Sequence, residues 1–275
     1  MSLNIIANGG FITRYQPNTY SAVKSALDLK GCQGVYLQVL LSHDGVPVLA
    51  GEEELLYLTG VDKRIEEINW GQLQQQKLLK QYSFPYGDFR YPQSENISSL
   101  SRILKELGGV DFPIYLGIDT ASNSKKSQKI AEKIVAQLKE KQLFSQIFLV
   151  SKRLGVLKSL QKANPELNVV PLVNGSGQLF SAFFHLHLRL LRFSAVWMGA
   201  KYLKRNLILL LKGKKMPIGL ILDEQFTNEQ PETVNMLKEH LLSLRVAQVI
   251  TTFPERWVLR AVEKDLTAPS EKEKG

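Results

Sequence analysis

The sequence predicts a single (β/α)8 barrel of the α/β class, and two observations lead to this prediction. Eight short runs of apolar, often β-branched residues follow one another along the 275 residues, and stretches with helical periodicity separate most of them. Nearly continuous apolar runs are typical of parallel strands that are covered on both faces. Eight such strands with interleaved helices in about 250 residues indicate one barrel rather than two small domains.

The individual elements follow from these patterns in chain order. The predicted strands are Leu3–Ala7, Gly34–Leu40, Ile114–Ile118, Gln146–Val150, Asn168–Leu172, Ser194–Met198, Ile218–Leu222 and Ala247–Thr251. The predicted helices are Thr19–Leu29, Ser98–Leu107, Ser124–Lys141, Leu154–Ala163, Tyr202–Lys212 and Pro231–Ser243. We expect residues 1–260 to form the barrel and residues 261–275, which are charged and lack apolar anchors, to form a disordered tail.

One long segment, Gly51–Asn96, interrupts the alternation of strands and helices. It contains Tyr82–Pro92, which is rich in aromatic residues, proline and glycine. We regard it as an insertion between barrel units. Two interpretations stay open at this point: a loop of this kind caps the mouth of a pocket, or it packs on itself at the surface.

The net charge of +9 is unevenly distributed along the chain. No acidic residue lies between Glu166 and Asp223, and the tract 185–215 within this stretch is rich in arginine and lysine. It predicts either a solvated helix face or a surface for a phosphorylated small molecule or an anionic membrane. Nucleic acid is not expected, because the tract contains no recognisable binding motif. The apolar stretch Leu179–Leu191 is too short to span a bilayer.

The cysteine content and the N-terminal residues bear on the cellular compartment. Cys32 is the single cysteine, so no intrachain disulfide can form, which fits a reducing compartment. The segment MSLNIIANGG has no basic stretch followed by an apolar run, so we expect no signal peptide. These features predict a cytoplasmic protein, and attachment to a membrane surface is an open alternative.

Several short motifs are spread over nearly all of the chain up to about Trp257. They are Ala7–Gly10 (ANGG), Gln16–Thr19 (QPNT), Tyr36–Val39 (YLQV), Asp44–Val48 (DGVPV), Pro113–Asp119 (PIYLGID) and Ile250–Pro254 (ITTFP). In order and spacing they resemble the motifs of the glycerophosphodiester phosphodiesterase family. The resemblance implies a barrel of the phospholipase C-like phosphodiesterase type. It also implies hydrolysis by two histidines, an arginine that binds the phosphate, and carboxylates that hold a divalent cation.

The residues at the matching positions differ from those that this chemistry needs. The histidine positions fall on Asn8 and Gly51, the arginine position on Gly9, and the carboxylate positions on Tyr36, Gln38 and Gly117. Imidazole takes and gives a proton near neutral pH, and Mg²⁺ or Ca²⁺ requires several charged oxygen ligands. We therefore expect that metal-dependent hydrolysis is lost and that no cofactor is bound. Mg²⁺ or Ca²⁺ is expected only if the family activity is retained.

Residues that could still bind a ligand lie at the predicted C-terminal mouth of the barrel. They are Asn8, Arg14, Gln38, Glu52, Asp119 and Lys152. The leading hypothesis is a pseudoenzyme that binds a phosphorylated or lipid-derived ligand. One alternative is an active phosphoric diester hydrolase of glycerophospholipid metabolism, in which the catalytic groups are relocated to Asp119, Asp223, Glu52 and a histidine. The other is a scaffold that binds a partner or a membrane surface. The sequence leaves these alternatives open.

Overall fold

The computed structural model describes residues 2–51, 55–84, 87–107, 110–119, 124–141, 143–173, 193–200, 216–222 and 231–258. The strands in these ranges are β1 Asn4–Asn8, β2 Cys32–Leu41, β3 Pro47–Leu49, β4 Gln81–Phe84, β5 Gly87–Arg90, β6 Ser98–Ser99, β7 Ile114–Gly117, β8 Ile147–Ser151, β9 Asn168–Val173, β10 Val196–Gly199, β11 Ile218–Ile221 and β12 Val246–Thr251. The helices are α1 Tyr20–Asp28, α2 Leu55–Thr59, α3 Trp70–Leu73, α4 Leu100–Leu107, α5 Ser124–Lys141, α6 Leu154–Ala163 and α7 Pro231–Ser243.

Eight parallel strands close into a barrel. Their order around the barrel is β1, β2, β7, β8, β9, β10, β11 and β12, and β1 pairs with both β2 and β12 to complete the ring. These are the eight strands that the sequence predicts, with bounds that differ by at most two residues. The predicted (β/α)8 fold is therefore confirmed.

Alternate residues of each strand face two separate cores, because successive side chains of a strand point to opposite faces. In β2, Val35, Leu37 and Val39 are buried against the surrounding helices. Tyr36 packs instead in the core inside the barrel, which also contains Ile6 of β1. Burial on both faces is the reason that the strands are almost continuously apolar in sequence.

Five of the helices lie where helical periodicity predicts them. The α5 stripe, represented by Ile130, Ile134 and Leu138, is buried against the barrel. Thr19 caps α1, since its Oγ1 accepts a hydrogen bond from the Ala22 N–H at 3.2 Å. No helix within the described ranges is long and apolar enough to cross a membrane. The predicted helix Tyr202–Lys212, the stretch Leu179–Leu191, most of the tract 185–215 and the tail 261–275 lie outside the described residues.

The inserted segment between β2 and β6 has a small core of its own, which includes Leu55, Ile65 and Leu73. It also contacts the loop that follows β1, because the Tyr91 hydroxyl donates to the Ile12 carbonyl oxygen at 2.8 Å. Its β4–β5 hairpin reaches the loop after β12, where the ring centroids of Phe89 and Phe253 are 6.0 Å apart. The insertion thus packs on itself and also contacts the rim of the barrel, so it shows features of both predicted arrangements.

Candidate functional site at the C-terminal mouth of the barrel

The six positions that match the family's functional residues, but carry other residues in this chain, lie at one end of the barrel. Asn8 and Tyr36 are partners in register between β1 and β2, and Gln38 and Gly117 are partners between β2 and β7. The Gly9 N–H donates to the Tyr36 carbonyl oxygen at 2.8 Å. A Cβ at Gly51 would lie 3.3 Å from Nδ2 of Asn18, in the same turn that Gly9 begins. The fold therefore brings these positions together at the carboxyl ends of the strands, where barrel active sites lie.

The turn after β1 depends on glycine. Gly9 and Gly10 have φ angles of +77° and +92°, which L side chains rarely adopt. A Cβ at Gly10 would also lie 2.6 Å from the carbonyl carbon of Ala22, so only glycine fits there. A Cβ at Gly9 would lie 3.2 Å from the Cβ of Pro17. An arginine at position 9 would consequently be strained in the turn that this chain forms.

Tyr36 occupies the space that a side chain at position 117 would need. A Cβ placed on Gly117 would lie 2.9 Å from Cζ of Tyr36 and closer still to its hydroxyl oxygen. Burial raises the pKa of the Tyr36 phenol, and the charge of nearby Asp119 raises it further. The phenol is therefore neutral at physiological pH. The Tyr36 ring thus fills the space at positions 36 and 117, which are two of the three positions that match the family's carboxylates.

Below this ring, three more aromatic side chains fill the lumen. Trp197 is fully buried and meets the Tyr36 ring edge-on, with centroids 5.4 Å apart. Tyr115 packs against Trp197 and against Phe148, with centroids 4.7 Å apart in both pairs. Trp197 fits because β11 has Gly219 beside it, where a Cβ would lie 2.6 Å from Nε1 of the indole. We call Tyr36, Tyr115, Phe148 and Trp197 the aromatic layer.

A hydrogen-bond chain links the polar atoms of Trp197 and Tyr115 in the aromatic layer. The Trp197 indole N–H donates to Oε1 of Gln248 at 2.8 Å, and Nε2 of Gln248 donates to the Tyr115 hydroxyl at 2.9 Å. Burial raises the pKa of Tyr115 to about 12, so this phenol is also neutral. The polar atoms of Trp197 and Tyr115 are therefore hydrogen-bonded, and the four side chains of the layer carry no charge.

The residues at the three carboxylate positions do not fit a divalent cation. Tyr36 presents a neutral phenol, Gly117 has no side chain, and the Gln38 amide donates to the Asp119 carbonyl oxygen at 3.3 Å. A hard cation prefers several charged oxygen ligands. Within the part of the chain that the structure describes, no three His, Cys, Asp or Glu residues form a group that could hold a metal ion.

Asp119, which the sequence suggested as a ligand-binding residue, has local partners instead. Its carboxylate accepts hydrogen bonds from the Ser151 hydroxyl at 2.7 Å and from the Lys152 backbone N–H. Arg153 Nε lies 3.9 Å from the same carboxylate. Asp119 therefore joins the ends of β7 and β8. The Lys152 side chain is exposed, and Arg153 lines a groove of about 490 Å³ outside the barrel that also contains Lys125 and Lys129.

The remaining predicted residues lie at the rim or outside the described ranges. Asn8 and Gln38 are partly buried at the mouth, whereas Arg14 is exposed with its guanidinium 5.4 Å from the Phe11 ring centroid. Glu52 and Asp223 lie outside the described residues, so their positions stay predictions.

Sequence reasoning missed Glu255 as a candidate residue of the rim. Burial raises the pKa of its carboxyl, and this effect exceeds the opposing hydrogen bond with Thr13 and the charges of Arg256 and Arg14. The only feature of the sequence that could have indicated Glu255 is its position in the short segment after β12. Perturbed carboxyls of this kind mark functional sites more often than ordinary surface carboxyls do.

The family assignment agrees with this geometry. The model of the glycerophosphoryl diester phosphodiesterase family matches residues 10–246. The chain belongs to this family. The match begins just after β1 and ends at the start of β12, so it includes the other six barrel strands and the altered positions on β2 and β7. No curated protein matches the chain.

Solved structures show the same fold at low sequence identity. A Silicibacter pomeroyi protein, provisionally described as a glycerophosphoryl diester phosphodiesterase, is 12% identical and has a TM-score of 0.78, with 96% of this chain and 94% of that chain covered. The Thermotoga maritima glycerophosphodiester phosphodiesterase is 19% identical at a TM-score of 0.70, with 94% and 99% covered. An Oleispira antarctica phosphodiesterase, solved with its product sn-glycerol-3-phosphate, is 16% identical at a TM-score of 0.71, with 94% and 96% covered.

Proposed function

We propose that this member of the glycerophosphodiester phosphodiesterase family does not hydrolyse phosphodiesters by a metal-dependent route and instead binds a phosphorylated ligand. The observation that carries this proposal is the position of Tyr36, whose ring fills the space above Gly117 at the mouth. A carboxylate at position 117 cannot coexist with that ring. The barrel wall is retained while the metal ligands are replaced by packing.

The chemistry of the other positions supports the same conclusion. Metal-assisted hydrolysis requires a cation to neutralise charge that develops on phosphorus and a group that transfers protons near neutral pH. Asn8 and Gly51 have no titratable side chain. Of the histidines that the structure describes, His43 lies in the exposed turn after β2 and His240 on the exposed side of α7. Neither lies in the lumen.

A direct test measures the hydrolysis of a glycerophosphodiester and the binding of Mg²⁺ or Ca²⁺ by the same purified chain. The purified chain is incubated with sn-glycero-3-phosphocholine and millimolar Mg²⁺ or Ca²⁺, and the release of sn-glycerol-3-phosphate is followed. The Oleispira antarctica phosphodiesterase serves as the positive control. We expect no release above background and no heat of Mg²⁺ or Ca²⁺ binding in isothermal titration. Metal-dependent turnover that disappears with a chelator would contradict the proposal.

The alternative of an active hydrolase with relocated groups makes a different prediction. It requires Asp119 to act on substrate or metal, yet this carboxylate already accepts hydrogen bonds from Ser151 and Lys152. Under this alternative, Asp119→Asn would abolish turnover in the assay above. Under the proposal, Asp119→Asn lowers stability only, because it weakens the link between β7 and β8.

A further inference from the structure

Two turns at the rim of the barrel have the same construction. The sequence Phe-x-x-Arg occurs at Phe11–Arg14 after β1 and at Phe253–Arg256 after β12. In both turns the arginine N–H donates to the phenylalanine carbonyl oxygen three residues earlier, at 3.2 Å. In both, the guanidinium also lies over the ring of that phenylalanine, at 5.4 Å and 4.4 Å from the ring centroid.

The barrel places these two turns side by side. β1 and β12 are neighbours, with Ala7 and Thr251 as partners in register just before the turns begin. Neighbouring strands are about 4.8 Å apart, so the turns leave the sheet close to each other. Thr13 of the first turn is close enough to Glu255 of the second turn for its side chain to lower the pKa of that carboxyl. Both arginines are close enough to Glu255 for their charges to lower the pKa of its carboxyl.

The carboxyl of Glu255, which is near both arginines, is less acidic than that of an exposed glutamate. Burial raises its pKa despite the two nearby guanidinium groups, so the neutral form is favoured relative to an exposed glutamate. Its Oε2 atom is buried and has no hydrogen-bond partner among the described residues. The two turns contain two arginines and one glutamate, and burial disfavours the charged form of that glutamate. Stacking on an aromatic ring also limits the rotamers of each guanidinium, which lowers the entropy cost of binding an anion.

We propose that the twin Phe-x-x-Arg turns, with Arg14 and Arg256 as the contacting side chains, form a binding site for a phosphate group at the rim between β1 and β12. Arginine binds phosphate with two parallel hydrogen bonds, and two arginines match the charge of a phosphate monoester dianion. The site is separate from the six altered family positions. It rests on the proposed function, since it names the residues by which this barrel binds a phosphorylated ligand.

The test is isothermal titration of the full chain with inorganic phosphate and with sn-glycerol-3-phosphate, at constant ionic strength. Arg14→Gln and Arg256→Gln are each expected to weaken phosphate binding about tenfold or more, because each removes charge-assisted hydrogen bonds. The double variant should weaken binding by less than the product of the two single effects if both arginines contact one anion. Tighter binding of sn-glycerol-3-phosphate than of inorganic phosphate would identify the ligand as an organic phosphate.

Arg245→Gln is the matched control. Arg245 is exposed and directly precedes β12, so the six residues of the strand, about 20 Å in length, separate it from the Phe253–Arg256 turn. The charge change is the same, and phosphate affinity should stay at the wild-type value. Arg14→Lys, which keeps the charge but loses the planar fork, should fall between wild type and Arg14→Gln.

Two results would overturn this site. One is a wild-type chain that binds neither probe at millimolar concentration; the other is equal affinity for phosphate in the Arg14, Arg256 and Arg245 variants. The proposed function fails on a different result, metal-dependent turnover, so the two failures can be told apart. Near-ultraviolet circular dichroism of each variant identifies any loss of affinity that comes from unfolding.

Discussion

The packing of Tyr36 over Gly117 makes a prediction with a defined sign. Gly117 is not in a left-handed conformation, so alanine would ordinarily stabilise the chain by about 0.4–1 kcal/mol through the unfolded state. Here the added Cβ would lie 2.9 Å from Cζ of Tyr36. The ring cannot easily move, because Trp197 packs against it and the Tyr36 backbone accepts the Gly9 N–H. Gly117→Ala is therefore expected to destabilise the fold by about 1–3 kcal/mol, the usual cost of overpacking.

A double-mutant cycle isolates this contact. Tyr36→Leu removes the ring and hydroxyl, so Gly117→Ala should become neutral or stabilising in that background. The coupling free energy should then be about 1–4 kcal/mol. The assay is urea unfolding, with thermal melting as a second measure. Each kcal/mol of change in the free energy of unfolding shifts the Tm of a domain of about 150–250 residues by about 2–4 °C.

Gly155→Ala provides the control for this cycle. Gly155 lies in α6, and a Cβ there would meet nothing within 4 Å. Alanine should stabilise this helix by about 0.5–1 kcal/mol. The side-chain change is the same as in Gly117→Ala, but the expected effect on stability has the opposite sign. If Gly117→Ala were as stabilising as Gly155→Ala in the wild-type background, the inference that Tyr36 fills the site would be wrong.

Three further outcomes follow from the described contacts. Folding raises the pKa of Glu255 above 4.5, so the contribution of this carboxyl to stability is full below pH 4.5 and falls as the pH rises through the folded pKa. The Glu255→Gln variant should therefore gain stability relative to wild type as the pH increases. A difference in Tm between the two that is constant with pH would contradict this. Cys32 is buried, with a raised pKa and its thiol directed to the Gly34 carbonyl oxygen, so Ellman's reagent should label it only after denaturation. Thr19→Ala should lower the free energy of unfolding by about 1 kcal/mol through loss of the α1 cap, whereas Thr19→Ser should largely retain it.

Sequence patterns were sufficient to predict the barrel because its signals are local. Each strand is a run of apolar residues, and helices such as α5 repeat their apolar positions every three or four residues. Motif order also predicted that Asn8, Tyr36 and Gly117 lie at one end of the barrel, and in the structure Asn8 pairs with Tyr36 while Gly117 pairs with Gln38. These predictions need only the direction of each strand and the order of strands in the sheet.

The contents of the site could not be predicted in the same way. The contact of Tyr36 with Gly117 joins residues about 80 positions apart, and the pairing of Trp197 with Gly219 depends on which strands are neighbours. The raised pKa of Glu255 depends on its burial in the folded chain. Such features follow from side-chain volumes in three dimensions, for which a single sequence gives no local signal.

The residues at positions 36 and 117 are better understood as one packing unit than as two independent differences from the family pattern. Position 117 has no side chain and position 36 has a large ring, which occupies the volume that a side chain at position 117 would need. That ring in turn rests on Trp197, which needs Gly219 beside it. Cores are close-packed, so a carboxylate restored at either position would leave a cavity or a collision unless the aromatic layer were replaced with it. Gly9 adds a second constraint, since its turn does not accommodate arginine without strain. Replacing Tyr36 or Gly117 alone with a carboxylate residue should therefore lower stability, because the surrounding aromatic layer would still be packed for the present residues.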